Sequence, residues 1–270
     1  MTQTYHHIIG SSPLLISMPH VGIKIPEDIA CRFTSAAMQL PDVDWHLPLL
    51  YDMVKDFDTT LISAEYARYV IDLNRSPENT SLYPGQDVTG LCPIDTFAKD
   101  SIYLDGKQPD VNEIENRIKQ YWQPYHEKLA SELQRIIAIH GIAILWDAHS
   151  IASHVPRFFT GQLPDLNFGT ADSTTCDTSL QQSLENVMNS SAHAKSYSHV
   201  FNGRFKGGYI TRNYGKPNLN IHAVQLEMSQ CIYMGENPPY KYDAQLASQV
   251  KPLLGDLLNA CLSWAKLQSL

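Results

Sequence analysis

Apolar and polar positions along the chain fall into two patterns that alternate. Short, nearly unbroken apolar runs have the length of buried strands. They occupy 14–18 (LLISM), 59–65 (TTLISAE), 67–74 (ARYVIDLN), 142–150 (IAILWDAHS) and 222–229 (HAVQLEMS). Between them, apolar residues recur at helical spacing. Over 42–57, Trp45, Leu49, Leu50, Met53 and Phe57 repeat at threes and fours. The clearest helical stripe spans 110–140 and runs from Val111, Ile114 and Ile118 through Tyr121, Trp122 and Tyr125 to Leu129, Leu133, Ile136 and Ile137. Asp110 and Glu113 form a capping box at its start, Pro124 predicts a kink and Gly141 a terminator. A shorter helix is predicted over 179–190, and an amphipathic closing helix, interrupted by Pro252, over 243–267.

Strand and helix in alternation predict an α/β fold around a mixed, mostly parallel sheet, in a single domain over 1–270. Residues 76–109 are rich in Pro, Gly, Asp and Ser and predict a long irregular excursion; 151–177 reads as loop.

Three predicted strands end in residues that bind metals or move protons: His20 after LLISM, His149 in LWDAH and Glu227 in VQLE. The carboxyl ends of parallel strands line one crevice, so the three converge. Two imidazoles and a carboxylate make a catalytic zinc set with one position open to water. A bound zinc lowers the water's pKa to about 7, and a further carboxylate accepts its proton. Asp147 shares a strand face with His149 and either orients that ring or bonds backbone amides. The third ligand is open among Asp42, Asp44, His46, Glu27 and Asp28, with helix capping a competing role for Asp42 and Asp44.

Two basic segments point to an anionic substrate. Asn74 and Arg75 close DLNR, and Arg204, Lys206 and Arg212 surround Gly207 and Gly208 in GRFKGGYITRNYG. A guanidinium fork grips a carboxylate through two parallel bonds, and glycines let a loop approach a ligand closely.

Composition narrows the classes. With 43% apolar and 18% charged residues among 270, the chain reads as a soluble globular protein. A net charge of −8 argues against a nucleic-acid partner. No apolar stretch is long enough to span a membrane. Five scattered cysteines without a CxxC pair fit a reducing compartment, and the N-terminus lacks a basic, then apolar, leader, so a cytoplasmic location is expected. The sequence has no GxSxG elbow, P-loop, GxGxxG or HExxH.

Six segments in order, SMPHVGIKIP, DVDWHLPLLYD, YVIDLNR, LWDAHS, FKGGYITRNYGKP and VQLEMSQCIYM, together resemble the N-formylglutamate amidohydrolases, also called N-formylglutamate deformylases, over about residues 14–235. That family acts in histidine breakdown and is related to zinc carboxypeptidases and aspartoacylase-like deacylases. The resemblance implies a three-layer α/β/α zinc-exopeptidase-like fold, one Zn²⁺ per chain and hydrolysis of N-formyl-L-glutamate. It implies His20 and His149 as metal ligands. Carboxypeptidase-like relatives carry a ligand glutamate three residues after the first histidine; this chain has Ile23 there, and Asp44 is the substitute. Glu227 matches the general base, Asn74 and Arg75 the pair that holds substrate carboxylate or polarises its carbonyl, and Arg212 a second carboxylate contact helped by Arg204 or Lys206. Two other readings share the motifs: a zinc deacylase or carboxypeptidase acting on another N-acyl amino acid or small peptide, and a binding protein on the same scaffold.

Overall fold

A computed structural model describes residues 3–80, 85 and 87–268. Its strands are β1 (Tyr5–Ile8), β2 (Leu14–Met18), β3 (Thr60–Ala64), β4 (Ala143–Ile151), β5 (Leu166–Gly169), β6 (His199–Phe201) and β7 (Ile221–Ser229). They form one seven-stranded sheet in the order β1-β3-β2-β4-β7-β5-β6. The centre, β3-β2-β4-β7, is parallel, while β1 against β3 and β5 against β7 are antiparallel. The sheet is therefore mixed and mostly parallel.

Side-chain alternation divides the core between the two faces. Leu14, Ile16 and Met18 of β2, Ile144, Trp146 and Ala148 of β4, and Val224, Leu226 and Met228 of β7 pack to one side. Their in-between neighbours Leu15, Ala143, Leu145 and Ala223 pack to the other. The helices are α1 (Glu27–Ala30), α2 (Leu47–Leu50), α3 (Val111–Arg117), α4 (Gln123–His140), α5 (Thr178–Ser190), α6 (Tyr209–Tyr214) and α7 (Ala244–Gln268). The first face is covered by α2, α5 and α7, and the second by α4. Central strands buried on both faces explain the near-continuous apolar runs in the sequence.

Five expectations change. The apolar run 67–74 is a chain of turns, not a strand. Its charged members Arg68 and Asp72 are buried and pair at 2.6 Å, whereas four residues of extended strand would set them about 13 Å apart. The helix expected over 42–57 shrinks to α2 and a 3₁₀ turn at Asp52–Phe57, because His46 enters in the left-handed region (φ 64°) and Tyr51 leaves the helix. The loop expected over 151–177 contains β5, and β1, β6 and α6 arise where no pattern stood out, each only three to six residues long. The long helix of 110–140 is α3 and α4 joined through one π-helical turn, Ile118–Trp122. Asp110 caps α3 by accepting from the Glu113 amide at 2.8 Å, but the Glu113 carboxylate turns to Arg32 and Arg117 rather than closing a capping box.

Among the described residues of 76–109 there is no helix or strand, only isolated bridges such as Asp95 with Ser101 and Phe33 with Tyr103. Among the described residues, no helix is long and apolar enough to cross a membrane.

Candidate metal and substrate site

The parallel strands deliver their carboxyl ends to one buried cluster. His20 follows β2 by two residues, and its carbonyl accepts from the Asp44 amide at 3.1 Å, which docks the DVDW segment against the strand end. The β4–β7 register sets His149 beside Glu227. Asp44 Oδ2 lies 3.2 Å from His149 Nδ1 and 3.9 Å from His20 Nδ1, and one donor atom from each of the three residues falls within 4.8 Å of the others. All three side chains are buried.

The remote nitrogens are also spoken for. His20 Nε2 is 2.7 Å from Asp72 Oδ1, and His149 Nε2 is 3.1 Å from Asp147 Oδ2. A carboxylate only accepts, so His20 Nε2 carries the proton and its Nδ1 lone pair faces Asp44, while the His149 ring lies between two carboxylates, Asp44 at Nδ1 and Asp147 at Nε2. This is the carboxylate–histidine arrangement that orients metal ligands. Asp44 Oδ1 has no hydrogen-bond partner although it is buried, a state that costs free energy unless a cation meets it. The donor set therefore fits a divalent ion of the zinc type.

The charge balance agrees. Burial disfavours a charged His149, yet Asp147, Asp44 and Glu227 outweigh it and raise its pKa well above the usual histidine range. Burial and the nearby Arg68 push His20 down, which keeps it neutral. Burial opposes ionisation of Asp72, but Arg68, His20 and Arg75 prevail and hold its carboxyl well below the usual range. Burial pushes Glu227 up to about 8; Asp44 and Asp147 add to the shift, and His149 and Arg68 offset part of it. The cluster is rich in carboxylate and asks for positive charge.

A cavity opens beside it, lined on the polar side by His20, Asn74, Arg75, His149, Arg204 and Glu227 and on the apolar side by Phe97, Phe158 and Phe205. Gln225 donates to Glu227 Oε2 at 3.2 Å and accepts from the Gly208 amide at 2.7 Å, so the glycine pair reaches the cavity wall through it. Arg204 donates its Nε to the Phe158 carbonyl at 2.6 Å and lies over the Phe158 and Phe205 rings.

Other residues singled out in the sequence fall elsewhere. Asn74 lines the cavity, but its Oδ1 accepts from the Ile210 amide at 2.8 Å and its Nδ2 lies 3.0 Å from His149 Nε2. Arg212 and Lys206 are not among the described residues lining the cavity: Arg212 Nε donates to the Gly207 carbonyl at 2.8 Å, and Lys206 pairs with exposed Asp172 at 3.0 Å. Asp42 is outside the cluster, accepting from Tyr69 and the Phe97 amide at 2.6 and 2.9 Å, and burial pushes it up to about 6. His46 Nε2 meets the Tyr240 carbonyl at 2.6 Å, and Glu27 and Asp28 are exposed in the first turn of α1.

Arg68, Asp72 and Gln225 went unassigned from sequence. Their signals were present: charges four apart inside an apolar run, and a glutamine two residues before Glu227 on the same strand face.

Fold and cluster define an α/β protein with a candidate metal centre at the carboxyl edge of its parallel strands. The chain belongs to the N-formylglutamate amidohydrolase family, whose sequence model matches residues 12–234. It is 46% identical to an N-formylglutamate deformylase of Pseudomonas putida over 255 residues, 94% of either chain. It is 45% identical to an N-formylglutamate deformylase of Pseudomonas aeruginosa over 257 residues, 95% of either chain. Among solved structures, an N-formylglutamate amidohydrolase from Ralstonia eutropha JMP134 shares the fold with a TM-score of 0.80 at 24% identity, covering 98% of this chain and 97% of that one. A gene product of Agrobacterium tumefaciens shares it with a TM-score of 0.70 at 15% identity, covering 96% of each.

Proposed function

We propose that this chain hydrolyses N-formyl-L-glutamate to formate and L-glutamate, a step of histidine breakdown, in the reducing cytoplasm. The observation that carries the reading is the juxtaposition of Glu227 with the His20–Asp44–His149 cluster beside a cavity that His20, His149, Glu227 and arginines line. The relatives' shared name over nearly the whole chain supports the substrate.

His20, Asp44 and His149 would hold Zn²⁺, with Asp72 and Asp147 orienting the two rings. When bound, the metal supplies Lewis acidity toward the formyl oxygen and the attacking water. Glu227 takes a proton from that water as its oxygen bonds to the formyl carbon. Its buried carboxyl, raised toward neutrality, suits a group that must both accept and return a proton. As the C–N bond breaks, Glu227 gives the proton to the departing glutamate nitrogen, and Gln225 keeps its Oε2 in place throughout.

Of the three cavity-lining guanidiniums, Arg68 pairs with Asp72, and Arg75 and Arg204 would meet the substrate's two carboxylates; Arg75, with Nε 3.9 Å from Asp72 Oδ2, would also meet charge developing on the formyl oxygen. Arg212 donates to the Gly207 carbonyl and Lys206 pairs with Asp172, both outside the described cavity lining. Phe97, Phe158 and Phe205 keep water from the reacting carbon. A panel of N-formyl, N-acetyl and N-succinyl amino acids tests the assignment. The formyl derivative of glutamate should be turned over with the highest kcat/KM, and preference for another acyl group would overturn it.

A further inference from the structure

The π-helical turn between α3 and α4 has an identifiable cause. Pro124, at the start of α4, has no amide hydrogen for the carbonyl four residues earlier and crowds it. The helix widens for one turn over Ile118–Trp122 instead of breaking. The widened turn sets Trp122 and His126 on one face, four residues apart, with rings stacked 3.7 Å apart at 21°.

Both side chains reach the turn that bears Arg75. Trp122 Nε1 donates to the Arg75 carbonyl at 3.0 Å, and His126 Nε2 meets the Leu73 carbonyl at 2.8 Å. A carbonyl only accepts, so Nε2 carries the imidazole proton, and Nδ1 shares the Tyr214 hydroxyl proton with the His126 carbonyl, at 3.0 and 3.1 Å. Tyr214 stacks on the other side of the imidazole and Tyr209 meets it edge-on, so α6 closes the group. The same turn is tied to α6 a second time, through Asn74 Oδ1 and the Ile210 amide. Neither Trp122 nor His126 is among the described residues lining the cavity.

We propose that Trp122 and His126 are positioning residues that fix the 73–75 backbone and thereby aim Arg75 at the substrate. The assignment rests on the proposed role of Arg75. Backbone anchoring is needed because guanidinium recognition depends on geometry: a fork that pivots at its Cα loses one of its two parallel bonds.

The test uses Trp122→Phe, which keeps the stacked ring and removes the donor, with His126→Leu and the donor-retaining His126→Gln. With N-formyl-L-glutamate as substrate, Trp122→Phe should raise KM roughly fivefold, the scale of one lost hydrogen bond, with zinc content unchanged. His126→Gln should recover most of what His126→Leu loses. In an Arg75→Ala background, Trp122→Phe should cost nothing further. A full additional loss there would show a general structural role and overturn the proposal. Hydrogen exchange across 72–76 supplies an arm independent of catalysis: Trp122→Phe should speed exchange there and leave β4 and β7 unchanged. If wild-type protein fails to turn over the substrate, the proposed function fails and the exchange result alone decides the anchoring. Unchanged exchange at 72–76 would overturn it.

Discussion

Glu227 stands directly opposite His149 across the parallel β4–β7 ladder. A candidate base and a candidate metal ligand are thus fixed relative to each other by sheet register and not by a loop, which is the rigid support a reacting pair needs. A one-residue slip of β7 would turn Glu227 to the face opposite His149.

From this follows the first expectation. Glu227→Gln should retain fold and metal, since Gln225 can still bond an amide oxygen, but lose turnover by about 10²–10⁴-fold, the usual worth of a positioned proton carrier. Steady-state kinetics beside metal analysis checks this; a variant with near-normal kcat would remove Glu227 from the proton-transfer role.

Asp72 never touches the proposed ion, yet it holds His20 through Nε2 and is itself held by Arg68 at 2.6 Å. Asp72→Asn should weaken zinc binding by about 10–100-fold, the usual effect of losing such an orienting carboxylate. Competition against a metallochromic chelator reads the affinity directly, without reference to turnover.

Gly208 needs no special backbone angle; it needs room. A Cβ there would stand 2.4 Å from the Asn74 side-chain nitrogen. Gly208→Ala should destabilise the protein by about 1–3 kcal/mol, and Asn74→Ala in the same chain should relieve most of the clash. Denaturant unfolding of the two single variants and the double variant would show this as strong non-additivity.

His126 makes stability depend on acid. Burial pushes its pKa down to about 4, against a partial opposing effect from the Leu73 carbonyl. Between about 4 and the ordinary 6.5 the unfolded chain binds this proton and the folded chain does not. Stability therefore rises with pH across that window and falls as pH drops from 6.5 toward 4, by about 3 kcal/mol at most. Unfolding free energies at pH 7 and pH 4.5 should differ accordingly, and His126→Gln should flatten the difference.

Much of this was legible in the chain. The runs that became β2, β4 and β7 are continuous because those strands are buried on both faces, and polar residues at their ends marked where the candidate metal cluster gathers. His20, His149 and Glu227 stood out for that reason. Asp44 became distinguishable from Asp42 only in three dimensions, because two aspartates at a spacing of two differ here by which loop each docks against. The run 67–74 misled because its apolar members divide between two cores: Ala67, Tyr69 and Val70 join Phe33 and Tyr103, while Ile71 and Leu73 pack against the second face of the sheet. Arg204, Lys206 and Arg212 stood together in one basic segment, and no periodicity separates Arg204, which lines the cavity, from Arg212 and Lys206, which meet Gly207 and Asp172.

The most direct test of the account is formate release from N-formyl-L-glutamate by purified protein, before and after chelation and after zinc is restored. The account predicts release that disappears with the chelator and returns with zinc, and that is absent from a His20→Ala, His149→Ala double variant throughout. Release that persists at full rate in metal-stripped protein, or in that double variant, would contradict it.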